Sequence, residues 1–153
     1  MNGWNGLSFG SNWLEGFDIN LGPGWTNLTP GIPPANCNGP ASGGQWLWMN
    51  SVTSSATGIT VGPGWFFEST QGGPVDGNPG NDWGDFGNCT WSFCFNVTVA
   101  QTCTPQNLLI QVTPGGDGTW GSWMYNSCQQ TPFTIYNGVI NTQPVTVGPI
   151  SHN

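Results

Sequence analysis

The chain has no lysine and no arginine among its 153 residues, against seven acidic residues and one histidine, giving a formal charge of −7. Charged side chains make up 5% of it, where globular domains carry about a quarter. With no cation to meet a phosphate, nucleic acid and anionic membrane surfaces are excluded as partners. Arginine fingers, Schiff-base lysines and phosphate-cradling P-loops go with them. Trypsin-like proteases find no cleavage site. Good helix formers are scarce, with four Ala and two Glu, and no helical period is visible. No apolar run approaches the roughly 18 residues that would span a membrane as a helix. The start at Met1 lacks the charged and apolar regions of a signal peptide, so either a leader has been removed or the chain is part of something longer.

What is abundant is aromatic and β-favouring. Ten Trp and eight Phe supply a core that the aliphatic residues could not fill alone, and 25 Gly with 13 Pro punctuate the chain. Residues 15–21 alternate, with Phe17, Ile19 and Leu21 on one side and Glu15, Asp18 and Asn20 as the polar complement. Strands are also expected over 45–53, over 58–68 with a Gly-Pro-Gly interruption, and over 90–99, where Trp91, Phe93, Phe95, Val97 and Val99 share a face. Further strands are expected at 107–113, 119–125, 133–140 and 144–148. The pattern predicts an all-β fold, an antiparallel two-sheet β-sandwich (Ig-like or jelly-roll-like) with long Gly/Pro/Asn loops. An N-terminal strand or arm over 1–14 precedes the sandwich at 15–138, and a C-terminal strand or tail follows over 139–153. Leu21-Gly22-Pro23-Gly24-Trp25 and Val61-Gly62-Pro63-Gly64-Trp65 repeat one signature, read as a strand, a turn needing positive φ, and a Trp capping the sheet end.

Five cysteines, Cys37, Cys89, Cys94, Cys103 and Cys128, read as two disulfides and one remaining thiol in an oxidising compartment, with the pairing left open. Cys94 lies on the strand face opposite Trp91, Phe93 and Phe95. Asn27, Asn88 and Asn96 each begin an Asn-x-Ser/Thr sequon.

The segment from Asp76 to Asp85 concentrates oxygen ligands, so Asp76, Asn78, Asp82 and Asp85 are candidate Ca²⁺ ligands, set against an ordinary turn-rich connector. Most Trp residues are expected in the core. Trp4, Trp25 and Trp83, flanked by glycine and polar residues, are the candidates for exposed sugar-stacking surfaces. Catalysis is not expected. A glycosidase needs a carboxylate pair, and although Glu68 is the best placed of Glu15, Glu68, Asp82 and Asp85, spacing selects no partner for it. The only histidine, His152, sits at the terminus, too frayed to serve a nucleophile.

Lysine, the usual guard of exposed sheet edges, is missing, so edges must be protected by glycans, by proline or by a neighbouring subunit. An extended terminus, 4–14 or 139–150, that completes the sheet of the next copy would propagate head to tail into a filament. The stretches GPGWTNLTP, GGQWLWMNSVTSSATG, GPGWFFES, QGGPVDGNPGNDWGDFGNCTWSFCFNVTV and DGTWGSWMYNSC resemble segments of Trp/Gly-rich β-sandwich modules. Such modules occur in secreted surface and fibril-forming proteins of Bacteroidetes-type bacteria, and the resemblance covers about residues 15–128. It implies an extracellular, non-enzymatic structural or adhesive role and brings no active-site residues. The O-glycosylation signal of those bacteria, Asp followed by Ser or Thr, is absent. The expected function is therefore an extracellular, glycosylated filament protomer whose partner is itself, with a glycan-binding adhesion module as the alternative.

Overall fold

The computed structural model describes residues 13–55, 57–102, 104–116 and 133–140. Among them the regular structure is almost entirely antiparallel β, with single 3-10 turns at Gly39–Ser42 and Pro79–Asn81. The strands are β1 (Leu14–Leu21), β2 (Trp25–Pro30), β3 (Gly44–Met49), β4 (Val52–Thr53), β5 (Thr60–Val61), β6 (Gly64–Ser69), β7 (Phe95–Val99), β8 (Gln106–Asn107), β9 (Ile110–Gly116), β10 (Phe133–Tyr136) and β11 (Val139–Ile140). Five of them form one sheet in the order β10-β9-β1-β6-β3. The pairs β2–β7, β4–β5 and β8–β11 are separate two-stranded ladders.

Period-two alternation places the core. Phe17 pairs with Trp65, Trp46 with Phe67, and Ile19 with Val112, so these six side chains share one face of the large sheet. The β2–β7 ladder covers that face through Leu28, Phe95 and Val97, joined by Phe93 and the fully buried Trp91. Phe17 and Phe93 stack with centroids 4.4 Å apart. On the opposite face Phe66 packs with Val52, Met49 and Val61 from the β3–β5 region. All six residues of β6 are therefore buried, whereas the alternating reading expected one polar side. A central strand with both faces covered has no such side.

Other departures are local. The strand expected over 45–53 breaks at Asn50-Ser51 into β3 and β4, and the one over 90–99 is regular only from Phe95. Its inward alternation holds through Val97, but Val99 is exposed. Glu15, assigned to the polar complement, is buried where a bulge between Leu14 and Gly16 shifts the register of β1 against β9. Of the two Gly-Pro-Gly copies, only Gly62 takes a positive φ, +114°. At Gly22 and Gly24 the need is space: a Cβ would stand 2.8 and 2.7 Å from the Asn107 carbonyl oxygen. Trp65 lies within β6 and is buried rather than capping a sheet end. The strands expected at 119–125 and 144–148, and most of the 1–14 arm, lie outside the described residues.

Replacing Phe66, completely buried against Met49, Val52 and Val61, by Ala leaves an aromatic-sized void. Stability should fall by roughly 3–5 kcal/mol in equilibrium denaturation.

Candidate functional site

Four carboxylates are taken almost wholly out of water: Glu15, Glu68, Asp82 and Asp85. Acidic groups are rarely buried to this degree without a partner, and no Lys or Arg exists to supply one. Two local solutions are visible.

The first is at Asp85. Its Oδ2 accepts from the Cys37 amide at 2.8 Å, the Trp91 indole N–H at 2.7 Å and the Trp46 indole N–H at 3.3 Å. Its Oδ1 accepts from the Ser42 hydroxyl at 2.7 Å. The Asp85 backbone also exchanges hydrogen bonds with Leu14 at the start of β1. Cys37, one of the Asp85 donors, is disulfide-bonded to Cys89. One carboxylate thus ties together the 37–46 segment, the chain around Trp91 and the edge of β1, through charge-assisted bonds in a dry setting.

The second is the pair Glu68 and Asp82. Glu68 is the fifth residue of β6 and points with Phe66 to the face away from the main core. Its Oε1 accepts from the amides of Asp76 at 2.7 Å and Gly77 at 2.8 Å. Asp82 Oδ2 accepts from the Ser69 amide at 2.9 Å. The remaining oxygens, Glu68 Oε2 and Asp82 Oδ1, are buried with no hydrogen-bond partner, and the two carboxyls are within hydrogen-bonding reach of each other. Burial pushes Asp82 up to about 6 from an ordinary 3.8; the nearby Glu68 and Asp76 carboxylates add to the rise, and the Ser69 N–H opposes it. With no cation present, the folded chain holds a proton that the unfolded chain has released, so this group's contribution to stability falls as pH rises from about 4 to 6. The pair is inaccessible to a substrate, so what it can hold is a proton or a small cation.

The expected calcium ligands do not share one site. Asp85 is fully engaged by its own donors, while the exposed Asp76 makes an Asx-type turn, accepting from the Asn78 amide at 2.9 Å and the Asn81 side-chain amide at 3.4 Å. Among the described residues, no three His, Cys, Asp or Glu side chains converge to hold a metal. Asn81 lay within the oxygen-rich segment but was not among its named candidate ligands. Trp46 and Trp91 were legible only as core, although a buried indole N–H demands an acceptor and so hinted at Asp85.

The other candidates are scattered. Asn27, Asn88 and Asn96 are all exposed, and Asn96 donates to the Pro30 carbonyl oxygen. Cys94 is exposed with a free thiol on the outward side, as its strand position predicted; Cys103 and Cys128 lie outside the described residues, as does Trp4. Trp25 and Trp83 are half-buried rather than exposed: Trp83 packs edge-on against Trp13, and Trp25 against Tyr136. Trp25 nevertheless lines an open groove of about 560 Å³ with Asp18, Asn20, Asn27 and Thr60, and its indole N–H has no acceptor. Burial raises the Asp18 carboxyl above its usual range. No helix of the described residues is long and apolar enough to cross a membrane.

Comparison with protein-family models, curated proteins and solved structures finds no match to this chain.

Asp85→Asn would remove the charge shared by four donors and replace one acceptor oxygen by an NH2 group that faces either the Ser42 hydroxyl or the three N–H donors on Oδ2. Stability should drop by on the order of 3 kcal/mol, and the emission of the Trp46 and Trp91 indoles should change, both read in one fluorescence-monitored denaturation.

Proposed function

We propose that this chain is an extracellular structural protein, the protomer of a glycosylated filament assembled by β-strand exchange, with the five-stranded sheet and the β2–β7 ladder as the two layers of a sandwich module. The observation that carries this reading is the state of the sheet margins. Among the described residues β3 and β10 end the large sheet with no strand beyond them, and β2–β7 is a ladder of two strands only. Around β10 and β11 the margin is apolar, with Ile135, Tyr136 and Val139 each about half exposed, 47–58%. Such edges template pairing with another chain unless guarded, and the chain has no lysine to guard them. A strand donated by the next copy would satisfy the edge and repeat without closing. The Cys37–Cys89 disulfide and three exposed sequons are in keeping with life outside the cell, and so are the Trp/Gly-rich phrases of the sequence. The reading includes no catalysis.

A second reading, glycan binding, is favoured by the groove at Trp25. The Trp25 ring beside the Asp18 carboxylate and the Asn20 and Asn27 amides offers the stacking face, acceptor and donors that a sugar ring requires. A glycan array and a fluorescence titration test it: saturable quenching that Trp25→Ala removes supports it, and silence in both eliminates it.

Negative-stain imaging of the purified chain should show filaments, and deletion of residues 1–12 or of 141–153, which leaves β1 and the β8–β11 ladder intact, should leave only short oligomers or monomers. Monodisperse globules alone, in salt and in calcium, would overturn the filament.

A further inference from the structure

Three buried oxygens around the 68–82 segment lack a donor: Glu68 Oε2, Asn81 Oδ1 and Asp82 Oδ1. They are close together. A Cβ built on Gly73 would stand 2.6 Å from the Asn81 oxygen and 2.7 Å from the Asp82 oxygen, and the Glu68 carboxyl reaches that of Asp82. Each carboxylate is also oriented. Glu68 Oε1 is fixed by the amides of Asp76 and Gly77, and Asp82 Oδ2 by the amide of Ser69. In each case the backbone holds one oxygen and leaves its twin buried without a donor. Glu68 and Asp82 are 1% and 0% exposed, so water cannot solvate them freely.

Carboxylates buried close together without donors are relieved by a proton or by a cation between them. In most proteins a lysine or arginine would supply it; here none exists. We propose that Glu68, Asn81 and Asp82 form a binding site for a hard divalent cation, Ca²⁺ in preference, beside Gly73, where the absence of a Cβ lets the Asn81 and Asp82 oxygens approach the backbone. The donor set is entirely oxygen, which suits Ca²⁺ rather than Zn²⁺ or Cu²⁺, and backbone carbonyls and water complete a Ca²⁺ shell without a third carboxylate. The exposed Asp76 adds negative potential beside it. Of the ligand set that the sequence suggested, this site uses Asp82. The site does not depend on how copies assemble.

The test is a pair of measurements on the full chain, stripped with a chelator and returned to neutral pH. Added CaCl₂ should raise the melting temperature by roughly 5–10 °C at a hundredfold excess over Kd. Tb³⁺ should show indole-sensitised emission that Ca²⁺ displaces, since Trp83 adjoins Asp82. Asp82→Asn and Glu68→Gln should abolish both responses, and their chelator-treated forms should be at least as stable as wild type because a repulsive pair is relieved. Gly73→Ala keeps every ligand and charge but sets a Cβ against the Asn81 and Asp82 oxygens, at a backbone conformation open to alanine, and should lose both responses as well. A melting temperature indifferent to CaCl₂ together with no sensitised Tb³⁺ emission would overturn the proposal. Stabilisation by acid alone, identical in Ca²⁺ and chelator, would do so too, showing that the two carboxyls share a proton instead.

Discussion

A carboxylate removed from water in a chain without ammonium or guanidinium groups has to be met by N–H and O–H dipoles, and Asp85 is where that requirement organises the fold. Its two oxygens collect an amide, a hydroxyl and two indoles from segments separated by up to 48 residues. No lysine could replace this arrangement, because a single ion pair fixes one partner, whereas the carboxylate here fixes four donors. The disulfide at Cys37 and Cys89 closes the same neighbourhood covalently. Together they hold the connector before β3 and the chain around Trp91 against the sheet, in the region where Trp91 and Trp46 complete the aromatic core.

Glu68 and Asp82 show the same requirement met only by half. Each has one oxygen satisfied by backbone amides and one with no donor. The difference from Asp85 lies in what surrounds them. Asp85 looks into the tryptophan-rich core, where indole N–H groups themselves need acceptors. The Glu68 pair looks into a loop of Gly, Asn and Asp, where the nearby side chains are mainly further acceptors. Complementary needs close a network; matching needs leave acceptors without donors.

The scarcity of cations acts at the margins as well. Both faces of β6 are covered, while the sheet ends at β3 and β10 with backbone groups facing outward among the described residues. Filament assembly and glycan capture are the two uses proposed for such a surface. They draw on different parts of it, the open strands on one hand and the groove beside Trp25 on the other.

Composition and alternation were enough to read the all-β character, the inward faces of β1, β7 and β9, and the outward thiol of Cys94, because burial of every second residue is a local, period-two property. The double burial of β6, the bulge that buries Glu15, and the break at Asn50-Ser51 were not legible, since each depends on what covers a strand rather than on the strand itself. The site divides the same way. The oxygen-rich segment from 76 to 85 was visible as a cluster, yet its residues part company in space, with Asp85 turned to the indoles and Asp82 to Glu68. Sequence determined how many charges this chain carries and of which sign; only the tertiary structure decided which of them would be buried and against what, because the donors that satisfy a buried oxygen come from segments far apart along the chain.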